Sequence, residues 1–149
     1  MEQADRFQKL FEEGCNVVRR DFTCGKKNAA LFFNPDLTDA EALRDFIRAA
    51  QNGGRSISDI DKSVIFISET QIVESENEAM QSVLSGDGAF FLDGETDILV
   101  IEAKKYDKRA VMEPPTETVV RGPREGFTED IKTNMSLLQR RFKSPKLCM

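Results

Sequence analysis

Histidine and tryptophan are both absent from these 149 residues, and cysteine occurs only three times. Without histidine there is no His-containing metal motif and no Ser-His or Cys-His pair for nucleophilic catalysis, so any acid-base chemistry would fall to carboxylates or lysines. Cys15, Cys24 and Cys148 are odd in number and show no CxxC spacing, which points to reduced thiols in a cytosolic-type compartment rather than a disulfide framework. No apolar run approaches the ~20 residues of a membrane-spanning helix. The opening residues Met1–Asp5 lack the basic and apolar regions of a signal peptide, so the chain reads as soluble and unexported. The nucleophile elbow G-x-S-x-G is missing. Gly25-Lys26-Lys27 has neither the upstream Gly nor the downstream Ser or Thr of a phosphate-binding loop, and Gly86-Asp87-Gly88 lacks the third Gly of a dinucleotide fingerprint. Both read as turns.

What is present is enough apolar residue for one packed domain, and an uneven charge. The net charge is −5. Residues 1–120 hold 14 Lys and Arg against 23 Asp and Glu, whereas residues 121–149 hold 7 against 3. An acidic body argues against a nucleic-acid surface, which needs clustered cations. The basic end suits pairing with the acidic body, a partner or a membrane surface.

Four helices are expected. The first carries Phe7, Leu10 and Phe11 and closes at Gly14. Thr38-Asp39-Ala40-Glu41 is a capping box followed by Leu43, Phe46, Ile47 and Ala50 at helical spacing, ending at Gly53-Gly54. Ser75-Glu76-Asn77-Glu78 repeats the device ahead of Met80, Val83 and Leu84, with Gly86 where a left-handed cap belongs. Thr128 opens the last, which carries Ile131, Met135, Leu138 and Phe142. Strands are expected at 16–22, 29–33, 64–67, 89–92 and 98–103. The continuous apolar runs Ala89–Leu92 and Ile98–Ile101 suit strands covered on both faces, joined through the turn Asp93–Asp97. The fold class is α/β or α+β: a mixed sheet of about five strands flanked by helices. Residues 1–112 form this body, 113–127 with Glu113-Pro114-Pro115 form a linker, and 128–149 read as the start of a helix leading to a second subdomain absent here.

Several motifs carry candidate chemistry. Ile101-Glu102-Ala103-Lys104 is an E-x-K at a strand end, preceded by Asp87, Asp93 and Asp97, and resembles magnesium-dependent nucleases in which an Asp and a Glu hold the ion and a Lys assists the water. A solvated strand end has the same composition. Asp59-Ile60-Asp61 begins like a calcium loop but has Val64 and Thr70 where Gly and Glu are required. Glu74, Glu76 and Glu78 belong to a helix first turn, where the dipole favours negative charge. No metal or cofactor site emerges.

The densest stretch is Arg121-Gly122-Pro123-Arg124-Glu125-Gly126-Phe127, ahead of Thr128-Glu129-Asp130. Two glycines open conformations closed to other residues, Pro123 fixes one dihedral, and Arg121 and Arg124 offer forked donors to carboxylates. Together with Asn134, Leu137-Leu138-Gln139-Arg140-Arg141, Leu31-Phe32-Phe33, Asp36–Asp39 and Leu84–Gly94, this run resembles the A subunit of GerA-type spore germinant receptors over most of the chain. Gln139 departs from the family's run of basic residues.

The resemblance implies a longer protein, with a second soluble subdomain, several membrane helices and a short tail. It also implies partnership with B and C subunits and other A subunits in the inner membrane of the endospore, this part lying on the cytoplasmic side. Such assemblies detect an amino acid or sugar germinant and trigger germination with ion release, without covalent chemistry, cofactor or nucleic acid. Residues 121–127 are then the expected coupling interface, with Arg121 and Arg124 as its charged contacts. A domain that itself binds the nutrient and the magnesium-dependent nuclease are the alternatives.

Overall fold

A computed structural model describes residues 1–11, 16–52, 56–64, 68–105 and 130–142. The elements run α1 (Glu2–Gln8), β1 (Val18–Cys24), β2 (Lys27–Phe33), α2 (Ala40–Asn52), α3 (Ile57–Val64), β3 (Thr70–Val73), α4 (Glu76–Leu84), β4 (Gly88–Leu92), β5 (Ile98–Ile101) and α5 (Ile131–Phe142). The five strands form one sheet in the order β1-β2-β4-β5-β3, and each neighbouring pair is antiparallel. The class is α+β with the expected strand count.

The expected mixing of strand directions is corrected. β3 and β4 do run the same way, joined through α4 as a helical crossover suggests. However, β5 returns by hairpin from β4 and takes the slot between them, so no parallel ladder forms.

Strand periodicity explains the continuous apolar runs. Successive side chains point to opposite faces, so Ala29, Leu31, Phe90, Leu92, Leu99 and Ile101 meet Leu43, Phe46 and Ala50 of α2 and Ile57, Ile60 and Val64 of α3. Ala30, Phe32, Ala89, Phe91, Ile98 and Val100 face the other way, against Ala4 and Phe7 of α1 and Ala79 and Val83 of α4. Each face has its own core, and every residue of β4 and β5 is buried. Phe7 packs edge-on against Phe32 at 5.0 Å and tilts against Phe91 at 4.8 Å, fastening α1 to the sheet. Arg19 adds a clasp, pairing with Asp5 at 2.6 Å and Asp21 at 2.8 Å while lying over the Phe32 ring.

Two local expectations change. A strand is expected at 64–67, and the described strand of this region is β3 at Thr70–Val73. Val64 ends α3, and residues 65–67 lie outside the described residues. α3 is an additional helix with its own sequence signal: Ile57, Ile60 and Val64 at helical spacing behind Ser56, whose Oγ accepts the Asp59 N–H at 3.2 Å. Asp59 and Asp61 therefore sit in a helix, not a calcium loop. At the start of α2 the cap is Asp39, whose Oδ1 accepts the Glu41 N–H at 2.8 Å; Thr38 instead bridges to Lys104. Helix α1 stops at Gln8, before Leu10 and Phe11, and Gly14 lies outside the described residues. The last helix is described from Ile131.

Candidate functional site

The antiparallel register of β4 and β5 sets Gly88 opposite Ile101, which brings the residue before β4, Asp87, beside those leaving β5. Helix α4 delivers Asp87 to this place by a complete C-terminal cap. The Gly86 N–H donates to the Val83 carbonyl at 3.1 Å and the Asp87 N–H to the Ser82 carbonyl at 3.0 Å, with Gly86 at φ +102°. A third segment closes in from the other side. After β2, the Asn34 carbonyl accepts the N–H groups of Leu37 and Thr38, and its side-chain Oδ1 accepts that of Asp36 at 3.0 Å. This tight loop meets the exit of β5: the Asp39 N–H donates to Ala103 O at 2.7 Å, and the Lys105 N–H to Leu37 O at 2.8 Å.

Asp87 is 7% exposed and Thr38 3% exposed. Lys104 Nζ lies 3.3 Å from Asp87 Oδ2, whereas Asp87 Oδ1 and Thr38 Oγ1 meet no hydrogen-bond partner among the described residues. Burial pushes the Asp87 carboxyl above the usual carboxylate range. Lys104 and a hydrogen bond from the Ala103 backbone oppose this, and nearby Glu102 adds to it. A depression of about 220 Å³ opens beside the pair, lined also by Glu69, Thr70 and Ser82.

Three of the residues named for the nuclease pattern, Asp87, Glu102 and Lys104, thus do gather. Their arrangement is that of an ion pair: the cation that would assist a water is spent on the carboxylate. Asp93 lies beyond the other end of β4, 2.5 Å from the Met1 amino group. No group of three or more Cys, Asp or Glu among the described residues is placed to hold a metal ion. At the same end as Asp93, a broader groove of about 770 Å³ lies between the starts of α1 and α4, with Arg6 paired to Glu76 at 3.1 Å. Glu76 and Glu78 occupy the first turn of α4 as expected, whereas Glu74 lies ahead of its N-cap, Ser75. Arg121, Gly122, Pro123, Arg124, Glu125, Gly126 and Phe127, the expected coupling interface, lie outside the described residues. Asp87 and Lys104 are visible in the sequence as charged candidates, but Thr38 and the 34–38 loop are not, because nothing in their spacing shows that β2's exit would meet β5's.

The five-stranded α+β module has a solved counterpart. The N-terminal domain of the A subunit of the Bacillus megaterium spore germinant receptor GerK3 superposes with a TM-score of 0.68 at 19% identity, over 97% of this chain and 55% of that one. The family match is more specific: residues 5–149 match the Bacillus/Clostridium GerA spore germination protein family, and the chain belongs to it. Among curated relatives in Bacillus subtilis, spore germination protein A1 is 40% identical over 75 residues, covering 50% of this chain and 16% of that protein. Stage V sporulation protein AF is 36% identical over 138 residues, covering 89% and 28%. The chain spans less than a third of the length of the curated relatives it matches.

Proposed function

We propose that this chain is the first soluble subdomain of a spore germinant receptor A subunit and relays nutrient detection into germination. On this reading it works with B and C subunits and other A subunits at the inner membrane of the endospore, on the cytoplasmic side. The observation that supports it is the GerA family match from residue 5 to residue 149, which spans both the α+β body and the Arg121–Phe127 run. Among the described residues no helix is long and apolar enough to cross a membrane, so a membrane role rests on segments of the longer protein.

Residues 113–127 are proposed to couple the body to the second subdomain, with Arg121 and Arg124 forming charge-assisted bonds to acidic groups. The test is the double substitution R121A/R124A in the full-length protein. Receptor abundance in spores should be unchanged while nutrient-triggered germination is lost. Germination at the normal rate with both arginines gone would sink the proposal. A domain that itself holds the nutrient is distinguished by melting the chain with amino acids and sugars, since a ligand bound only to the native state stabilises by about 2.7 kcal/mol at a hundredfold excess over its dissociation constant.

A further inference from the structure

We infer that the outer edge of β3, with the groove between it and α4, is a docking site for an extended basic segment of a partner protein. This goes beyond the receptor assignment and holds or fails independently of it.

β3 closes the sheet order at one end, and its register shows which backbone groups it leaves over. The Glu102 N–H donates to the Glu69 carbonyl at 2.8 Å, just ahead of the ladder that pairs Thr70 with Ile101 and Ile72 with Leu99. Hydrogen-bonded and non-hydrogen-bonded pairs alternate along an antiparallel ladder. Gln71 and Val73 therefore turn their N–H and C=O groups toward β5, and Thr70 and Ile72 turn theirs outward. No described residue meets those outward groups in a backbone hydrogen bond. The opposite edge of the sheet, β1, carries Arg19, Arg20 and Asp21, charges of the kind that guard an exposed strand. Thr70–Val73 carries no charge of its own, and Ile72 is 40% exposed.

The two faces beside this edge differ. Gln71 and Val73 lie on the α4 side, since their partners Val100 and Ile98 belong to the core beneath α1 and α4. There a depression of about 390 Å³ separates β3 from α4, lined by Gln71, Val73, Asn77, Glu78, Gln81 and Ser82. Gln71 and Ser82 also border the depression at Asp87, so the two form one groove. Among the described residues the one cation lining it is Lys104, already engaged by Asp87 at the α4–β4 junction. Thr70 and Ile72 lie on the α3 side, where the Thr70 hydroxyl donates to Asp61 and Ile72 keeps apolar surface in solvent.

A strand added to this edge would bond to the Thr70 and Ile72 backbone and alternate its own side chains between the same two faces. Those that reach toward α4 meet amides and a carboxylate, which suits Lys or Arg. Those on the α3 side meet Ile72, which suits a branched apolar residue. Charge also chooses among occupants. Glu69 and Glu74 flank β3, and Glu78 stands on the groove wall. A second copy pairing β3 with β3 would set two acidic flanks along one ladder, where like charges oppose pairing. A basic segment answers them.

The test is titration of this chain with a capped Lys-Val-Lys-Val-Lys peptide, read by amide NMR shifts and hydrogen exchange. The Thr70 and Ile72 amides should shift most and gain protection, and added salt should weaken binding. A Glu-Val-Glu-Val-Glu peptide should not bind. E69Q and E78Q should each weaken binding by up to about fivefold, the scale of an exposed ion pair. I72P removes an outward N–H that the β3–β5 ladder does not use, as an edge proline can. It should weaken binding on the order of tenfold while the Gln71 and Val100 amides keep their protection. If I72P loses the ladder, E69Q and E78Q carry the decision. No saturable shift with the basic peptide, equal binding of the acidic one, or strongest shifts away from β3 would overturn the site. So would binding unchanged in the glutamate variants. Concentration-dependent shifts of Thr70 and Ile72 without peptide would assign the edge to a second copy, and would overturn it too.

Discussion

Replacing Gly86 by alanine isolates the contribution of the α4 cap. Two costs add. At φ +102° a side chain is strained, by about 1–2 kcal/mol for a residue forced into a left-handed conformation. The new Cβ would also stand 2.8 Å from the Leu37 carbonyl oxygen, a backbone atom that already accepts the Lys105 N–H. It cannot yield without disturbing the 34–38 loop, and forced overpacking of this kind costs about 1–3 kcal/mol. The expected loss is therefore about 2–5 kcal/mol, a fall in melting temperature on the order of 10 °C or more for a domain of this size. Gly25→Ala and Gly94→Ala supply the control, because both glycines have positive φ, +59° and +83°, with nothing within 4 Å of the added carbon. They should show the conformational cost alone. Denaturant melts of the three variants decide it: if G86A falls within about 0.5 kcal/mol of the controls, the close approach of Leu37 contributes nothing and the reasoning fails.

The packing sets three further expectations. Phe46→Ala empties a wholly buried site facing Phe90 and should destabilise by about 3–5 kcal/mol in denaturant melts, far more than truncation of the exposed Ile72. Ser56→Ala removes the acceptor for the Asp59 amide and should cost about 1 kcal/mol, with Ser56→Asp retaining most of the stability. The Cys24 thiol is pushed up to about 11 by burial, so alkylation at neutral pH, mapped by mass spectrometry, should leave Cys24 unmodified until the chain is unfolded. Its contribution to stability is fully present below the ordinary thiol value and is lost as pH rises toward 11. Rapid labelling of Cys24 in the folded chain would contradict that burial.

How much of the fold is legible in the sequence depends on how local the determining interaction is. Helices α2 and α4 and the β4–β5 hairpin are legible because the helical spacing of Leu43, Phe46 and Ala50 or of Met80, Val83 and Leu84, and the short apolar runs Ala89–Leu92 and Ile98–Ile101, show within a few residues. The Gly86 cap is legible for the same reason. α3 is masked although Ser56, Ile57, Ile60 and Val64 carry a helix pattern, because Val64-Ile65-Phe66-Ile67 competes as a strand of stronger β propensity. Sheet order is not legible at all. That β5 pairs with β3 as well as β4 depends on contacts between distant segments, as does the meeting of Leu37 with Gly86 and Lys105. The candidate corner is half visible: Asp87 and Lys104 stand out as charges near one apolar hairpin, but their meeting with the loop after β2 depends on contacts between distant segments.

The sheet's central seam, β2 against β4, joins strands separated by roughly fifty residues of intervening chain, a loop whose closure carries a large entropic cost before any contact rewards it. During synthesis the β1–β2 hairpin emerges with Ala29–Phe33 complete, yet the free edge of β2 stays without its neighbour until Gly88–Leu92 is made. Assembly of the body is thus timed by its last strands, and a nascent chain halted before β4 holds two half-built cores open at once.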